Sequence, residues 1–382
     1  MILIFSLIRT DFNLHGNFIW VLIPRSQIRN TMNFKNLTAA MAFALLAVQP
    51  ATHASLINLG KLFGPAPIQL DASPLPEKSV SVDSFKQLKD CKKVVVTAFN
   101  VQFLTQKKAS AQAGGSMDGA AHVNSDIKLL GLDNPTFQAI ADQAYTNFVN
   151  GLKSLGVEVR PYSEYMALPQ YGDMKSYLKT SPLEIEGGMF SSGQPSFLFA
   201  PIGMPVCLFG DEAAVNSGAL MSSGMGRSAP HSLEPQLAKE SGVAAVHVYL
   251  VVDFCQMEAK GGVFSYTASV DAKPQISIAK ISRCLFVFGG GMTGGLEYVK
   301  LKNNAFGKDE YVTELNDVTT TGQRVGDAAG DLIGILGGHG DTYKTRSYEA
   351  VANPAQYQAA AVKYLSAVED LMLAGIKAKA AN

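Results

Sequence analysis

Apolar residues return at two different periods along this chain, and the periods mark its elements. After Asn134-Pro135 they fall three or four apart, at Phe137, Ile140, Ala144, Phe148, Leu152 and Leu155. That spacing predicts a helix over 135–155, with Asn134 as its cap, Pro135 at its first position and Gly156 as a left-handed stop. A second Asn-Pro pair at 353–354 predicts a closing helix to about Lys377, burying Tyr357, Ala361, Tyr364, Leu365, Val368 and Leu371. A third helix is expected over 322–336. Strand signals lie between these. Lys92–Gln106 is β-branched, aromatic and partly alternating, and Val157–Tyr162 follows the first helix directly, which completes a β-α-β unit. From Val243 short apolar runs at 243–257, 263–270, 275–281, 284–288 and 296–301 read as an antiparallel meander, and 342–351 as one more strand. The expected fold class is α/β to α+β: a mixed sheet with a β-α-β start, a later antiparallel meander and packed helices, including one at the C-terminus.

The remaining segments lack a period. Residues 107–124 are Ala-, Gly- and Ser-rich and read as loop. Residues 55–90 hold Pro65, Pro67, Pro74 and Pro76 among polar positions, which reads as an extended arm. Residues 163–240 are rich in Gly, Ser, Pro and Met and read as a long insertion in a single domain over 91–382. No repeat of fixed period is visible.

Composition narrows the function. The chain has 382 residues with 32 basic and 32 acidic side chains and a pI near 7.0, so it lacks the basic footprint that draws proteins onto nucleic acid. Residues 32–54 carry Lys35, an apolar run from Leu37 to Val48 and the small-residue ending Thr52-His53-Ala54, the pattern of a secretory signal peptide. Cleavage is expected after Ala54, and residues 1–31 read as a mis-assigned upstream start. The remaining chain has 28 basic and 31 acidic residues and no later apolar run long enough for a membrane helix. An exported protein, periplasmic or associated with the outer envelope, is expected.

Candidate chemistry is sparse. Cys91, Cys207, Cys255 and Cys284 lie in the exported part, where disulfides form. Cys255 and Cys284 sit in strand-like runs and are expected to pair across strands. Gly289–Gly294 matches GxGxxG formally, but strand-like Leu296–Leu301 follows where a dinucleotide site needs a helix, so it reads as a hairpin turn. Gly326, Gly330, Gly334 and Gly338 recur every four residues beside the stripe Val325, Ala328, Ala329, Leu332, Ile333 and Leu336. This predicts close packing onto a sheet or a helix–helix or subunit contact. Met189, Met204, Met221 and Met225 mark the insertion as a second adaptable surface. His247, within Ala-Val-His-Val-Tyr-Leu, reads as a satisfied sheet histidine. Ser228, His231 and His339 motivate an alternative, a secreted hydrolase, although no GxSxG elbow occurs. A small-ligand or glycan binder is the third reading. No motif for a metal or cofactor is present.

One resemblance adds to this. Val-Val-Val-Thr-Ala-Phe at 94–99, the helix over 138–155, Gly156-Val-Glu-Val-Arg-Pro-Tyr162 and Val-His-Val-Tyr-Leu-Val-Val-Asp-Phe at 246–254 occur in an order that resembles exported envelope α/β proteins of the curli-secretion-channel and penicillin-binding-protein-activator type. It covers 92–162 and 243–281. It implies a mixed sheet with helices and a non-catalytic role in assembling or regulating envelope machinery, through an envelope partner or self-association. The chain departs from that group in having no cysteine for lipidation directly after the expected cleavage site and in the insertion at 163–240.

Overall fold

The computed structural model describes residues 66–380, apart from 84, 86, 91, 114–119, 170, 186–194, 209–228, 261–266, 290–294 and 337–341. It has the expected class, mixed sheets with packed helices. Residues 66–90, expected as an arm, are built into the larger sheet. Ile68–Gln69 runs parallel to Ala305–Phe306, and β1 (Val80–Val82) pairs with residues 299–301. Pro76 opens a one-turn helix before the alternating Val-Ser-Val of β1.

Strand β2 (Lys93–Leu104) is almost wholly buried, as a strand covered on both faces must be. At Thr105 the chain leaves the larger sheet for a smaller one, forming the hairpin β3 (Gln106–Ala113) and β4 (Ala121–Leu130) where a loop was expected. Alternation is present there, with Val123, Ser125, Ile127 and Leu129 buried, but half of the β3 positions are Ala or Ser and give little apolar signal.

Helix α1 (Asn134–Ser154) follows, buried along Phe137, Ile140, Ala144, Phe148 and Leu152. Its cap is Asp133, one residue earlier than expected, whose Oδ1 accepts from Thr136 N at 3.0 Å. Gly156 ends it at φ +78°. Strand β5 (Glu158–Arg160) then lies parallel to β2, and β6 (Ser196–Phe199) lies antiparallel to the far half of β2. The sequence then continues through α2 (Ala229–Ser241) to the seventeen-residue β7 (Ala244–Lys260), parallel to β2.

The expected meander is rearranged. The end of the run at 263–270, whose residues 263–266 lie outside the described residues, and the start of that at 275–281 fall in one strand, β8 (Ser269–Ile278), which pairs with the second half of β7, while β9 (Arg283–Phe288) pairs with the first half. The two lie end to end along one long partner. At their junction Ser282 replaces the missing strand, its hydroxyl accepting from Val251 N at 2.9 Å. β10 (Gly295–Leu301) then pairs antiparallel with β9, and residues 290–294 of the glycine-rich run, expected as a hairpin turn, lie outside the described residues.

The smaller sheet is completed by β11 (Val312–Asp317) and β12 (Thr342–Ala352), joined through α3 (Thr321–Leu336). Its order is β11, β12, β4, β3, with β12 and β4 parallel. The closing helix α4 (Pro354–Ala380) is capped by Asn353, whose Oδ1 accepts from Gln356 N at 3.1 Å, and buries all six residues expected of it.

Side-chain alternation assigns the two faces of β2 and β7. Phe99 and Phe103 meet Tyr145, Phe148 and Phe137 of α1, so this face is apolar. Asn100, Gln102, His247 and Tyr249 point to the other face, beneath the described parts of 162–241. No helix among the described residues is long and apolar enough to cross a membrane.

Candidate functional site

Helix α3 is amphipathic, and its polar side faces the protein. Gln323, Asp327 and Asp331 stand at i, i+4 and i+8, one above another on the helix. Each meets β12: Gln323 Nε2 donates to Ser347 Oγ at 2.9 Å, Thr345 N to Asp327 Oδ2 at 2.7 Å, and Tyr343 N to Asp331 Oδ1 at 2.5 Å. Thr345 Oγ1 also donates to Asp327 Oδ1 at 2.8 Å. Thr320 closes the N-terminal end, its hydroxyl accepting from Gln323 N.

The described part of the apolar side, Val325 to Ala329, is left outside. Val325 is 62% exposed, Ala328 and Ala329 are exposed, and a Cβ built on Gly326 would meet nothing within 4 Å. Close packing of the glycine face onto the sheet, one of the two expectations, is therefore not what α3 does at Gly326. Leu315 and Val318 are also exposed, so three of the seven exposed large hydrophobics among the described residues lie between 315 and 325. Gly322, Gly326, Gly330 and Gly334 each lower helix propensity by about 1 kcal/mol relative to alanine. Helix α3 is thus intrinsically weak and held through polar contacts, chiefly to β12, with an exposed ion pair from Arg324 to Asp317 of β11 at 3.6 Å.

The other expected site residues are dispersed. Met204 is buried in the wall of a cleft of about 590 Å³, with Gln138, Leu178, Ser181 and Ile202. Two of the polar side chains of that cleft are already used: Gln138 Nε2 donates to Ala200 O at 2.9 Å, and Ala200 N donates to Ser181 Oγ at 3.0 Å. Met189, Met221, Met225, Gly338, Ser228 and His339 lie outside the described residues, as do the side chains of Gly330's helical neighbours 332–336 and of His231.

Cys255 and Cys284 are buried free thiols, not a cross-strand pair. Cys284 is opposite Val248 and Cys255 is opposite Pro274, so the two are offset by seven residues along β7. At about 3.3 Å per residue that is roughly 23 Å, far beyond the ~7 Å limit between bridged Cα atoms. The expectation fails because β8 and β9 share β7 end to end. Burial raises the Cys255 thiol to about 12, with Asp253 adding to the rise and Lys107 opposing it.

Sequence reading missed a buried polar layer on the second face of β7. His247 Nε2 lies 2.5 Å from Glu234 Oε2, and Tyr165 OH donates to Glu234 Oε1 at 3.0 Å. Glu234 is 1% exposed and His247 2%. Burial first, then the Glu234 charge, push the Tyr165 hydroxyl far above its usual range. Tyr162 and Tyr171 share a hydroxyl contact of 2.8 Å beside them, and Asn100 Nδ2 donates to Cys207 O at 2.6 Å. This histidine lies in the sheet, as its sequence context suggested, with Glu234 as the partner of its Nε2. Its partner could not be named, because Glu234 sits in a helix with no clear period. Among the described residues no group of three His, Cys, Asp or Glu could hold a metal ion.

Comparison with known protein families, with characterised proteins and with solved structures gives no match.

Proposed function

We propose that this chain is an exported cell-envelope protein that acts without catalysis, assembling with a second copy of itself through the outer face of α3. The observation that carries this reading is the orientation of that helix. Amphipathic helices of globular proteins bury the apolar stripe, whereas α3 gives its carboxylates to β12 and leaves Val325, Gly326, Ala328 and Ala329 in water. Exposed apolar clusters mark contact sites, and small residues allow two helices to approach closely. Export is supported by the signal-like segment 32–54, and an envelope role by the resemblance of 92–162 and 243–281.

The test is the native mass of protein expressed from Met32, extracted separately from soluble periplasm and membranes and measured by light scattering. The expected result is an oligomer that Val325→Glu reduces to the protomer while the circular dichroism is unchanged. A wild-type protomer at micromolar concentration, or an oligomer indifferent to Val325→Glu, would overturn the reading.

A further inference from the structure

Helices α1 and α4 run the same way and pack closely. Asn147 Nδ2 donates to Ser366 Oγ at 2.6 Å, and further along both helices Gly151 meets Leu373 so tightly that a Cβ there would clash with Leu373 Cδ1. Helix α1 stops at Ser154, whereas α4 continues from Leu373 to Ala380, about 10 Å further. The last turns of α4 therefore overhang the chain that leaves α1. Beneath the overhang lies a cleft of about 430 Å³, whose walls include Leu88, Leu155, Val157 and Ile376, with Lys92 and Lys377.

The turn after α1 keeps this space open. Gly156 stands at φ +78°, which favours a residue without a side chain, and a Cβ built on it would meet nothing within 4 Å. Leu88, Val157 and Ile376 are buried, so the floor is apolar. Lys92 and Lys377 are exposed, and among the described residues neither forms an ion pair. Glu158, next to Val157, is engaged by Arg160 at 2.8 Å.

Helix C-termini attract lysines, because each carries about half a negative charge. Lys153 and Lys379 stand on the last turns of α1 and α4 outside the cleft and offset those two ends, and Lys92 belongs to no helix. Lys92 and Lys377 are therefore surplus positive charge at the mouth of an apolar cleft. Small-ligand sites of about 300–1,000 Å³ have this form, mostly apolar walls with a few placed polar groups. We propose that this cleft binds a ligand with a single apolar chain and one anionic head, the chain lying along Leu88, Val157 and Ile376 and the head meeting Lys92 and Lys377. The cleft uses no residue of α3, so its occupancy is independent of self-association.

Isothermal titration calorimetry on protein expressed from Met32 tests this with decanoate and decyl phosphate, both below the concentrations at which they form micelles. Acetate and inorganic phosphate supply the heads alone, and decan-1-ol the chain alone. Saturable one-site binding of at least one of the two chain-bearing anions is expected, the tighter one identifying the head, with heads or chain alone weaker by about tenfold or more. Lys92→Gln/Lys377→Gln should weaken binding by about tenfold. Ala380→Trp, which puts a ring into the cleft and keeps both lysines, should abolish it. Circular dichroism checks that each variant is folded, and the lysine pair, being exposed, can be replaced without touching the core. No saturable binding of either anion up to about 1 mM, or binding that decan-1-ol matches, overturns the proposal. Wild-type affinity in the lysine variant or in Ala380→Trp places the ligand elsewhere and overturns it as well.

Discussion

Glu369 offers a quantitative test of how the core is held. It lies on α4 at 1% exposure, and neither carboxylate oxygen has a hydrogen-bond partner. Burial, and then the charge of Asp370, hold its carboxyl well above the usual range, so the folded protein keeps it protonated. Two substitutions separate the causes. Glu369→Leu removes a buried polar group without a partner, worth about 1–3 kcal/mol, and adds apolar burial worth about 2 kcal/mol. With some loss for imperfect fit, a net gain of about 2–4 kcal/mol near neutral pH is expected. Glu369→Gln stays polar but cannot ionise. Because the folded pKa is raised, the proton-linked stability is fully present below the unfolded value of 4.5 and is lost as pH rises toward the folded pKa. Over that window wild type should lose up to about 1.4 kcal/mol per pH unit relative to Glu369→Gln. Urea unfolding at intervals from pH 4.5 to 8 reads both effects. A wild-type-minus-Gln difference that stays flat with pH, or a Leu variant with a lower midpoint throughout, would refute the reasoning.

The buried layer and the thiols make two further predictions. Glu234→Ala leaves His247 and the Tyr165 hydroxyl without their shared acceptor and should lower stability by about 3–5 kcal/mol, read from denaturant midpoints. A loss below about 1 kcal/mol would mean that Glu234 is not the acceptor that holds these two groups. For Cys255, whose thiol is raised to about 12, iodoacetamide at pH 8 should leave it unmodified in the native state. In urea without reductant both Cys255 and Cys284 should be alkylated, and a linked 255–284 peptide in the mass spectrum would contradict the strand offset.

What could be read from sequence followed the strength of the local signal. Helices α1 and α4 combine an Asn-Pro start with a wide apolar face; in α4 Asn353 is the cap, whereas in α1 the cap is Asp133, one position before Asn134. The strands β2, β7, β9 and β10 are rich in β-branched and aromatic residues and were placed within a few positions. Hairpin β3–β4 was missed because Ala, Ser and Gly carry almost no hydrophobic contrast, and its pairing with β12 joins residues more than 200 positions apart. The meander was misdrawn for a similar reason. A sequence shows that five runs are strand-like, but not that one of them is long enough to hold two others end to end.

The candidate site shows a different limit. The periodicity of α3 was legible, with its carboxylates on one side and its apolar stripe on the other, yet periodicity specifies two faces without saying which one is buried. That choice depends on what the neighbouring surface lacks. A hydrophobic sheet face would have taken the stripe. The available surface was instead the open edge of β12, with outward N–H groups at Tyr343 and Thr345, and a buried or half-buried donor left unpaired is worth about 1–3 kcal/mol. Asp327 and Asp331 meet that need at matched spacing, so the helix turns its acids inward. Once it does, Val325, Ala328 and Ala329 face out, above an edge capped by carboxylates. Changing the edge should therefore change the stripe. If Thr345→Pro, which removes the N–H that Asp327 accepts, leaves α3 in place with Val325 as exposed as before, the contacts to β12 are not what orients the helix.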